Sequence, residues 1–284
     1  MEPDSSDPHA QIRANVVSSS YIPADHDTEF LQRDELRPIR IGLELLKPEL
    51  IQREEGIRST IVVFGSARLH EPAAAKQALH LAEEEAARFP DDVEHQQRVA
   101  IARRQLSLSK YYEVAREFGQ LVSSTRQIQG RCDYVIVTGG GPGIMEAANR
   151  GAADVNAKSI GLNITLPHEQ HPSPYITPRL SFQFRYFAIR KMHFLLRAKA
   201  LVAFPGGFGT IDEVFETLTL LQTGKTKSVI VVLVGRDFWE RLINWPLLVE
   251  CGLIARTDLQ LFHYAEAAQE AWDLIVHHNG APTT

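Results

Sequence analysis

The chain has 284 residues, of which 44% are hydrophobic and 23% charged, and its formal net charge is -5 at pH 7. These proportions are ordinary for a globular protein and exclude a disordered or membrane-embedded chain. The acidic balance also lacks the basic footprint that holds a polyanion, so we expect no nucleic-acid partner.

The N-terminal segment has no apolar core of the kind found in secretory signals. The longest apolar run, at residues 229–234, is far too short to span a bilayer. We therefore expect a cytoplasmic protein with no membrane partner. The two cysteines, Cys132 and Cys251, lie far apart without CxxC spacing, which indicates neither a disulfide framework nor a zinc site.

Residues 1–55 form a polar, proline-containing segment with an amphipathic stretch at 41–51 that Pro48 interrupts. We predict that this segment is an N-terminal arm packing on the core. Residues 56–284 are predicted to form a single catalytic domain, because apolar strands and helices alternate through most of that length.

The domain begins with a short β-branched run at 60–64, which predicts a buried strand closed by a tight loop at Gly65 and Ser66. Residues 71–127 are then almost continuously helix-forming. We interpret this helical insertion as a solvated face or an oligomer surface.

A strand, a glycine-rich loop and a helix follow one another twice in the rest of the chain. The strand at 133–138 runs into GGGPG, and the strand at 200–204 runs into PGGFGT. Further apolar strands are predicted at 159–164 and 228–234. This alternation predicts an α/β fold, a Rossmann-like doubly wound parallel sheet with helices on both faces. The candidate site residues in the two loops are Gly139, Gly140, Gly141, Gly143, Pro205, Gly206, Gly207, Gly209 and Thr210.

Each glycine loop is a candidate phosphate site, because the helix after it presents unpaired N–H groups and the positive end of its dipole. Two such loops on one sheet favour a ligand in the crevice at the carboxyl ends of the strands. The dinucleotide pattern GxGxxG fails at both loops, where Ile144 and Asp212 replace the third glycine. A Walker A motif fails as well, since Thr219 replaces its first glycine. Hydride transfer and P-loop chemistry are therefore disfavoured.

Three segments carry a resemblance to a known family. PGGFGTIDE at 205–213, the Arg190-Lys191 pair and GGGPGIMEAANRGA at 139–152 resemble the Lonely Guy (LOG) family of cytokinin-activating phosphoribohydrolases, and GSAR at 65–68 fits as well. The resemblance runs from about residue 60 to the C-terminus and is closest to the longer, type II-like group. Such proteins were often labelled lysine decarboxylases, but this sequence has no pyridoxal-phosphate signature.

The resemblance implies that Arg190 and Glu213 are the catalytic pair. It also implies that the glycine loops hold a 5′-phosphate, for which Gly65 and Ser66 are further candidates. Lys191, beside Arg190, is a candidate phosphate-binding residue or a structural partner. The implied reaction is hydrolysis of a cytokinin riboside 5′-monophosphate or AMP to free base and ribose 5-phosphate, without a metal or another cofactor. The resemblance further implies a homodimer or a larger homo-oligomer.

Structural interpretations compete with these roles. Thr210 and Glu213 have the spacing of a capping box, in which Glu213 would only start a helix. Arg190 lies three and seven residues before His193 and Arg197, which is also the pattern of a solvated helix face. His168, His171 and Tyr175, in a proline-rich loop, are either base-pocket residues or ordinary surface residues.

Two other functions stay open on the sequence. A non-catalytic protein of the same superfamily would carry a nucleotide or molybdenum cofactor and release it intact. An adaptor would use the helical insertion to bind another protein and would be indifferent to nucleotides.

Overall fold

A computed structural model of the protein describes residues 8–124, 127–128, 130–165, 171–226 and 229–280. The chain divides after Lys47 into two compact units. The helices of the first unit are α1 (Pro8–Val16), α2 (Thr28–Gln32) and the first part of α3 (Arg37–Glu54). Pro48 lies inside α3, so the predicted interruption there is wrong: the helix continues with one backbone N–H fewer. The packing of an arm on the core stays a prediction.

The second unit is built on one seven-stranded parallel sheet. The strands of the chain are β1 (Thr60–Phe64), β2 (Gln127–Ile128), β3 (Arg131–Cys132), β4 (Val135–Thr138), β5 (Ser159–Ile164), β6 (Ser181–Phe184), β7 (Ala198–Ala203), β8 (Ile230–Val234) and β9 (Phe262–Ala265). The order in the sheet is β6-β5-β4-β1-β7-β8-β9, whereas β2 and β3 form a separate antiparallel ribbon. Every pair in the large sheet is parallel.

Helices surround this sheet. They are α4 (Pro72–Arg88), α5 (Val93–Leu108), α6 (Lys110–Ser123), α7 (Ile144–Asp154), α8 (Phe187–Leu196), α9 (Phe208–Gln222), α10 (Arg236–Leu242), α11 (Trp245–Glu250) and α12 (Ala268–Asn279). The predicted α/β, Rossmann-like fold with a doubly wound parallel sheet is therefore confirmed.

The predicted helical insertion consists of α4, α5 and α6, and α6 belongs to the core. Its buried side chains recur at spacings of four, three and four residues, namely Tyr111, Ala115, Phe118 and Val122. Gly119 lets α6 approach α7 closely, because a Cβ there would collide with the carbonyl of Ala148. The interpretation of the whole insertion as a solvated face or an oligomer surface is therefore wrong for α6.

The strand order places a crevice at one point of the sheet. The chain runs from β1 outward through β4, β5 and β6, and then returns to the other side of β1 with β7. Open α/β sheets bind ligands where the direction reverses in this way, outside the carboxyl ends of the strands. Here that point lies between β1 and β7, which are followed by loops at residues 65–68 and 204–207.

Candidate functional site

A cavity of about 770 Å³ lies at the reversal point between β1 and β7. It brings together eight of the predicted site residues, contributed by two loops and by helices α8 and α9. These are Gly65, Ser66, Arg190, Gly206, Gly207, Gly209, Thr210 and Glu213. The other predicted site residues lie outside its lining, and their positions show what they do in the fold.

The loops after β1 and β7 are joined by backbone hydrogen bonds. The amide of Phe204 donates to the carbonyl of Phe64 at 2.9 Å, and the amide of Ser66 donates to the carbonyl of Pro205 at 3.0 Å. Pro205 therefore supports the loop after β1 instead of lining the cavity. These bonds fix two walls of the cavity relative to each other.

The N-terminus of α9 opens into the cavity. Gly207 is the N-cap and no side chain caps the helix. The first bond within the helix runs from the amide of Ile211 to the carbonyl of Gly207 at 3.0 Å, so the amides of the preceding turn have no partner within the helix. A Cβ on Gly207 or Gly209 would meet nothing within 4 Å, which leaves room for a ligand against the backbone. The positive end of the helix dipole favours an anion here.

The residue at which α9 begins also tests the capping-box interpretation of Glu213. Because the helix begins at Phe208 and Gly207 is its N-cap, Thr210 lies within the first turn and cannot be a capping residue. The capping-box interpretation of Glu213 is therefore wrong. With Gly206 and Gly207 before it, the helix begins earlier than it would with Thr210 as its N-cap.

The first glycine loop lies between β4 and α7, behind the cavity lining. Gly140 and Gly143 have φ angles of 74° and 73°, which favour glycine. The amide of Ile144, at the start of α7, donates to the carbonyl of Ser66 at 3.1 Å. This N–H group therefore already has a hydrogen-bond partner in the loop after β1. Gly139, with Gly140 and Gly141 beyond it, contributes backbone next to Arg190. In the described structure this loop supports the cavity, and its contact with a phosphate stays a prediction.

Arg190, on α8, is anchored by main-chain carbonyls. Its Nε donates to the carbonyl of Leu162 at 2.6 Å and its Nη2 to that of Gly139 at 3.4 Å, while the guanidinium lies 5.1 Å from the ring centroid of Phe194. Burial lowers the pKa of Arg190, and the charge of Glu213 opposes that effect. The solvated-face interpretation of Arg190 is therefore wrong, because its guanidinium is held inside the fold.

Glu213 is the buried acid of the cavity, with 7% of its surface exposed. Its carboxylate has no hydrogen-bond partner among the residues that the structure describes. Burial raises the pKa of Glu213 to about 7, although the charges of Lys191 and Arg190 act in the opposite direction. A carboxyl group in this state can hold or release a proton near neutral pH.

Lys191 lies beside the cavity and does not line it. Its ammonium is 2.6 Å from a carboxylate oxygen of Glu216 and 2.9 Å from one of Asp212, both on α9. Burial alone lowers the pKa of Lys191, but the contacts with these two carboxylates outweigh it and the net direction is upward. Lys191 therefore stays a cation, bound by protein carboxylates.

The apolar wall of the cavity, one cation and one acid were not predicted from the sequence. The missed residues are Phe64, Ala67, Arg68, Met145, Phe187, Phe208, Ile211, Asp212, Phe238 and Leu242. Phe208 is 93% exposed although it lies inside the PGGFGT motif. Its place between two glycines was the one local signal, since a large apolar side chain there has no core to enter.

The remaining candidates do not line this cavity. His168 lies outside the described residues. His171 is exposed. The guanidinium of Arg150 lies over the ring of Tyr175, 5.5 Å from the centroid of that ring. Within the described ranges, no group of histidine, cysteine, aspartate and glutamate residues could hold a metal ion. The described helices also include none that is long and apolar enough to cross a membrane.

Part of the chain matches the model of a known protein family. Residues 145–275 match the family model described as "Possible lysine decarboxylase". A search of curated proteins finds no match to the chain.

Several solved structures are similar to the chain. The structure titled TM1055 is 16% identical, with 77% of this chain and 99% of that chain covered and a TM-score of 0.47. The Moco carrier protein from Chlamydomonas reinhardtii is 18% identical, with 78% and 97% covered and a TM-score of 0.44. The molybdenum cofactor binding protein from Rippkaea orientalis is 16% identical, with 78% and 96% covered and a TM-score of 0.44. Similarity of this degree says nothing about function.

The family match includes the two catalytic candidates, Arg190 and Glu213, and all of the PGGFGTIDE motif. Over residues 145–275 the chain is therefore similar to the family described as "Possible lysine decarboxylase", the older label of the LOG family.

Proposed function

We propose that the protein hydrolyses the N-glycosidic bond of a nucleoside 5′-monophosphate, with AMP or a cytokinin riboside 5′-monophosphate as substrate. The observation that carries this proposal is Glu213, a buried carboxyl group without a hydrogen-bond partner among the described residues, whose pKa is raised to about 7. It lines the same cavity as an open helix N-terminus, so an acid and an anion site share one space.

The N-terminus of α9 is suited to the 5′-phosphate. The amides of Phe208 and Gly209 have no partner within the helix, and glycine lets phosphate oxygens approach the backbone. Arg68, at the exposed rim, adds a positive charge. Arg190 has five N–H donors, of which two are used by main-chain carbonyls, so the others remain for the substrate.

Glu213 is suited to the sugar. Cleavage of a glycosidic bond develops positive charge on the ring oxygen and C1′, which a nearby carboxylate stabilises. The C1′–N bond breaks with its electron pair going to the base, and a water oxygen forms the new bond to C1′. That water gives its proton to the carboxylate of Glu213, and the departing base takes up one proton. The products are free base and ribose 5-phosphate.

The cavity does not support the older description of a lysine decarboxylase. A pyridoxal-phosphate enzyme needs a lysine that forms a Schiff base with the cofactor. None of the described residues that line the cavity is a lysine. The neighbouring Lys191 is held as a cation by Asp212 and Glu216, which is the wrong state for a nucleophile.

We also propose that the chain forms a homodimer or a larger homo-oligomer in the cytoplasm. Phe208 and Phe187 line the cavity and are 93% and 55% exposed, which is unusual for side chains of this size at a binding site. A second copy of the chain would cover them. Sedimentation velocity over a range of concentrations tests the association, and a monomer throughout contradicts it.

The reaction is tested by incubating the purified protein with AMP and with a cytokinin riboside 5′-monophosphate and measuring free base by chromatography. Wild type is compared with Glu213→Gln and Arg190→Met, and with Glu117→Gln, which changes an exposed acid on α6. We expect release by wild type and Glu117→Gln only. If no nucleoside monophosphate releases its base, the proposal fails, and tight binding of an intact ligand would favour a carrier.

A further inference from the structure

Lys191, on α8, joins that helix to α9 beside the cavity. Its ammonium lies 2.9 Å from a carboxylate oxygen of Asp212 and 2.6 Å from one of Glu216. Only 19% of the Lys191 side chain is exposed, so solvent screens these ion pairs less than it would screen pairs on an open surface. Lys191 does not line the cavity, whereas Asp212 does. Any effect of Lys191 on a ligand in the cavity therefore acts through another residue.

The two carboxylates that Lys191 contacts flank Glu213 along α9. Asp212 precedes Glu213 and Glu216 follows it by three residues, so the three acids occupy little more than one turn of the helix. Residues four apart on a helix are neighbours, and like charges at that spacing repel each other. Because one ammonium contacts both Asp212 and Glu216, it offsets this repulsion and holds the turn that carries Glu213 against α8.

The same residues supply the charges that act on the carboxyl group of Glu213. These charges come from Lys191 and Arg190 on α8 and from Asp212 and Glu216 on α9. Burial raises the pKa of Glu213, and among the charges that of Lys191 lowers it most. Arg68 faces the same cavity from the loop after β1. Removal of Lys191 would leave two carboxylates beside Glu213 without the cation that binds them.

We propose that Lys191 is a positioning residue: through Asp212 and Glu216 it holds the first two turns of α9 against α8 and keeps the carboxyl group of Glu213 beside Arg190 in the cavity. The consequence for turnover rests on the proposed hydrolysis, whereas the effect on Glu213 in the folded protein does not. This role differs from phosphate binding, because a residue that binds the phosphate must face the ligand.

The kinetic test compares wild type with Lys191→Met, which removes the charge, and Lys191→Arg, whose guanidinium can contact two carboxylates. Lys76→Met, which removes an exposed lysine of α4, is the control. For AMP between pH 5 and 9, the apparent pKa of kcat/KM should be about one unit higher in Lys191→Met than in wild type. Its kcat/KM should therefore be about fivefold lower at pH 7 and recover as the pH rises. Lys191→Arg should restore most of the lost activity, and Lys76→Met should follow wild type.

A second measurement needs no turnover. Urea unfolding from pH 5 to 9 compares Glu213→Gln with its parent, once in the wild-type background and once in Lys191→Met. The stability gained from glutamine should level off above about pH 7 in the wild-type background, because Glu213 is then ionised in the folded protein. In Lys191→Met the gain should continue to grow up to about pH 8. This result would support the positioning role even if no nucleotide releases its base.

Three results would overturn the proposal. The first is an apparent pKa of kcat/KM that does not change in Lys191→Met, and an accompanying rise in KM for AMP would identify Lys191 as a phosphate-binding residue instead. The second is a Lys191→Arg variant as slow as Lys191→Met. The third is a gain from glutamine that levels off at the same pH in both backgrounds.

Glu216→Gln tests the same ion pair if Lys191→Met does not fold, as judged by circular dichroism. This variant removes one contact of Lys191 together with a negative charge that raises the pKa of Glu213. The apparent pKa of kcat/KM and the pH at which the gain from glutamine levels off should therefore both fall. Values identical to those of wild type would overturn the proposal.

Discussion

Replacing Glu213 with glutamine should stabilise the protein at pH 8 and have a much smaller effect at pH 5. Glutamine has the shape and neutrality of the protonated acid, so the substitution removes only the cost of holding a charge in a buried position. The side chain is 7% exposed and its carboxylate has no hydrogen-bond partner among the described residues, which is why that cost is large.

The magnitude follows from the pKa. Burial raises the pKa of Glu213 from its ordinary value of 4.5 to about 7 in the folded protein. Between these values the folded state keeps a proton that the unfolded state has released, so the free energy of unfolding falls as the pH rises. Because each pH unit is worth about 1.4 kcal/mol, the wild type should lose about 3 kcal/mol relative to the variant across this window.

Urea unfolding followed by circular dichroism at pH 5, 6, 7 and 8 measures this difference. Glu117→Gln, on the exposed face of α6, serves as the control for removing a carboxylate and should show no such trend. A difference for Glu213→Gln that does not change with pH, or a variant less stable than wild type at pH 8, would refute the reasoning. It would show that the carboxyl group of Glu213 is not held in a desolvated position.

The other predictions concern turnover and the second glycine loop. For AMP, kcat/KM should rise with pH through an apparent pKa near 7, because the anionic form of Glu213 is the active one, and initial rates from pH 5 to 9 measure this. Arg190→Lys should lower kcat/KM about a hundredfold, since a lysine ammonium cannot reproduce the two carbonyl bonds and still face the substrate, whereas unfolding curves should show a folded protein. Gly206→Ala should destabilise the protein by about 1–3 kcal/mol, because the new Cβ would collide with the side chain of Thr210. Gly209→Ala meets no neighbour and should change stability by less than about 0.5 kcal/mol, but raise KM for AMP, and urea unfolding with steady-state kinetics separates the two glycine variants.

The central strands of the sheet were predictable because burial on both faces leaves a continuous apolar run. The predicted bounds of β1 and β5 agree with the structure residue for residue. Strands β6 and β9, which lie at the two edges of the sheet, were not predicted from the sequence. Their burial is mixed and their segments, SFQF and FHYA, combine apolar and polar residues. Four residues of mixed polarity do not carry a pattern strong enough to identify a strand.

The helix pattern of α6 was present in the sequence but was outweighed by its charged neighbours. Tyr111, Ala115 and Phe118 recur at the spacing of one buried helix face. The helices before it, α4 and α5, bury few residues each and dominate the composition of the insertion. An average over the whole segment therefore concealed a core helix.

The motifs identified the residues nearest the cavity but not the surfaces that complete it. Gly206 to Glu213 are consecutive along one loop and helix, so a sequence motif can represent them. Phe187 and Leu242 reach the cavity from α8 and α10, whose positions depend on the whole sheet. The two carbonyl partners of Arg190 likewise come from β5 and the loop after β4. No local pattern records such contacts.

The acidity of Glu213 depends on which charges are already paired. A cation close to a carboxylate lowers its pKa, so Arg190 and Lys191 by themselves would hold the pKa of Glu213 below the ordinary value. Lys191 is also bound by Glu216 and Asp212, whose own charges raise the pKa of Glu213 and so act against the charge of Lys191. Arg190 alone cannot compensate for burial, so the net direction reverses. The sequence therefore identifies the residue, whereas the pairing of its neighbours sets the pH at which it can act.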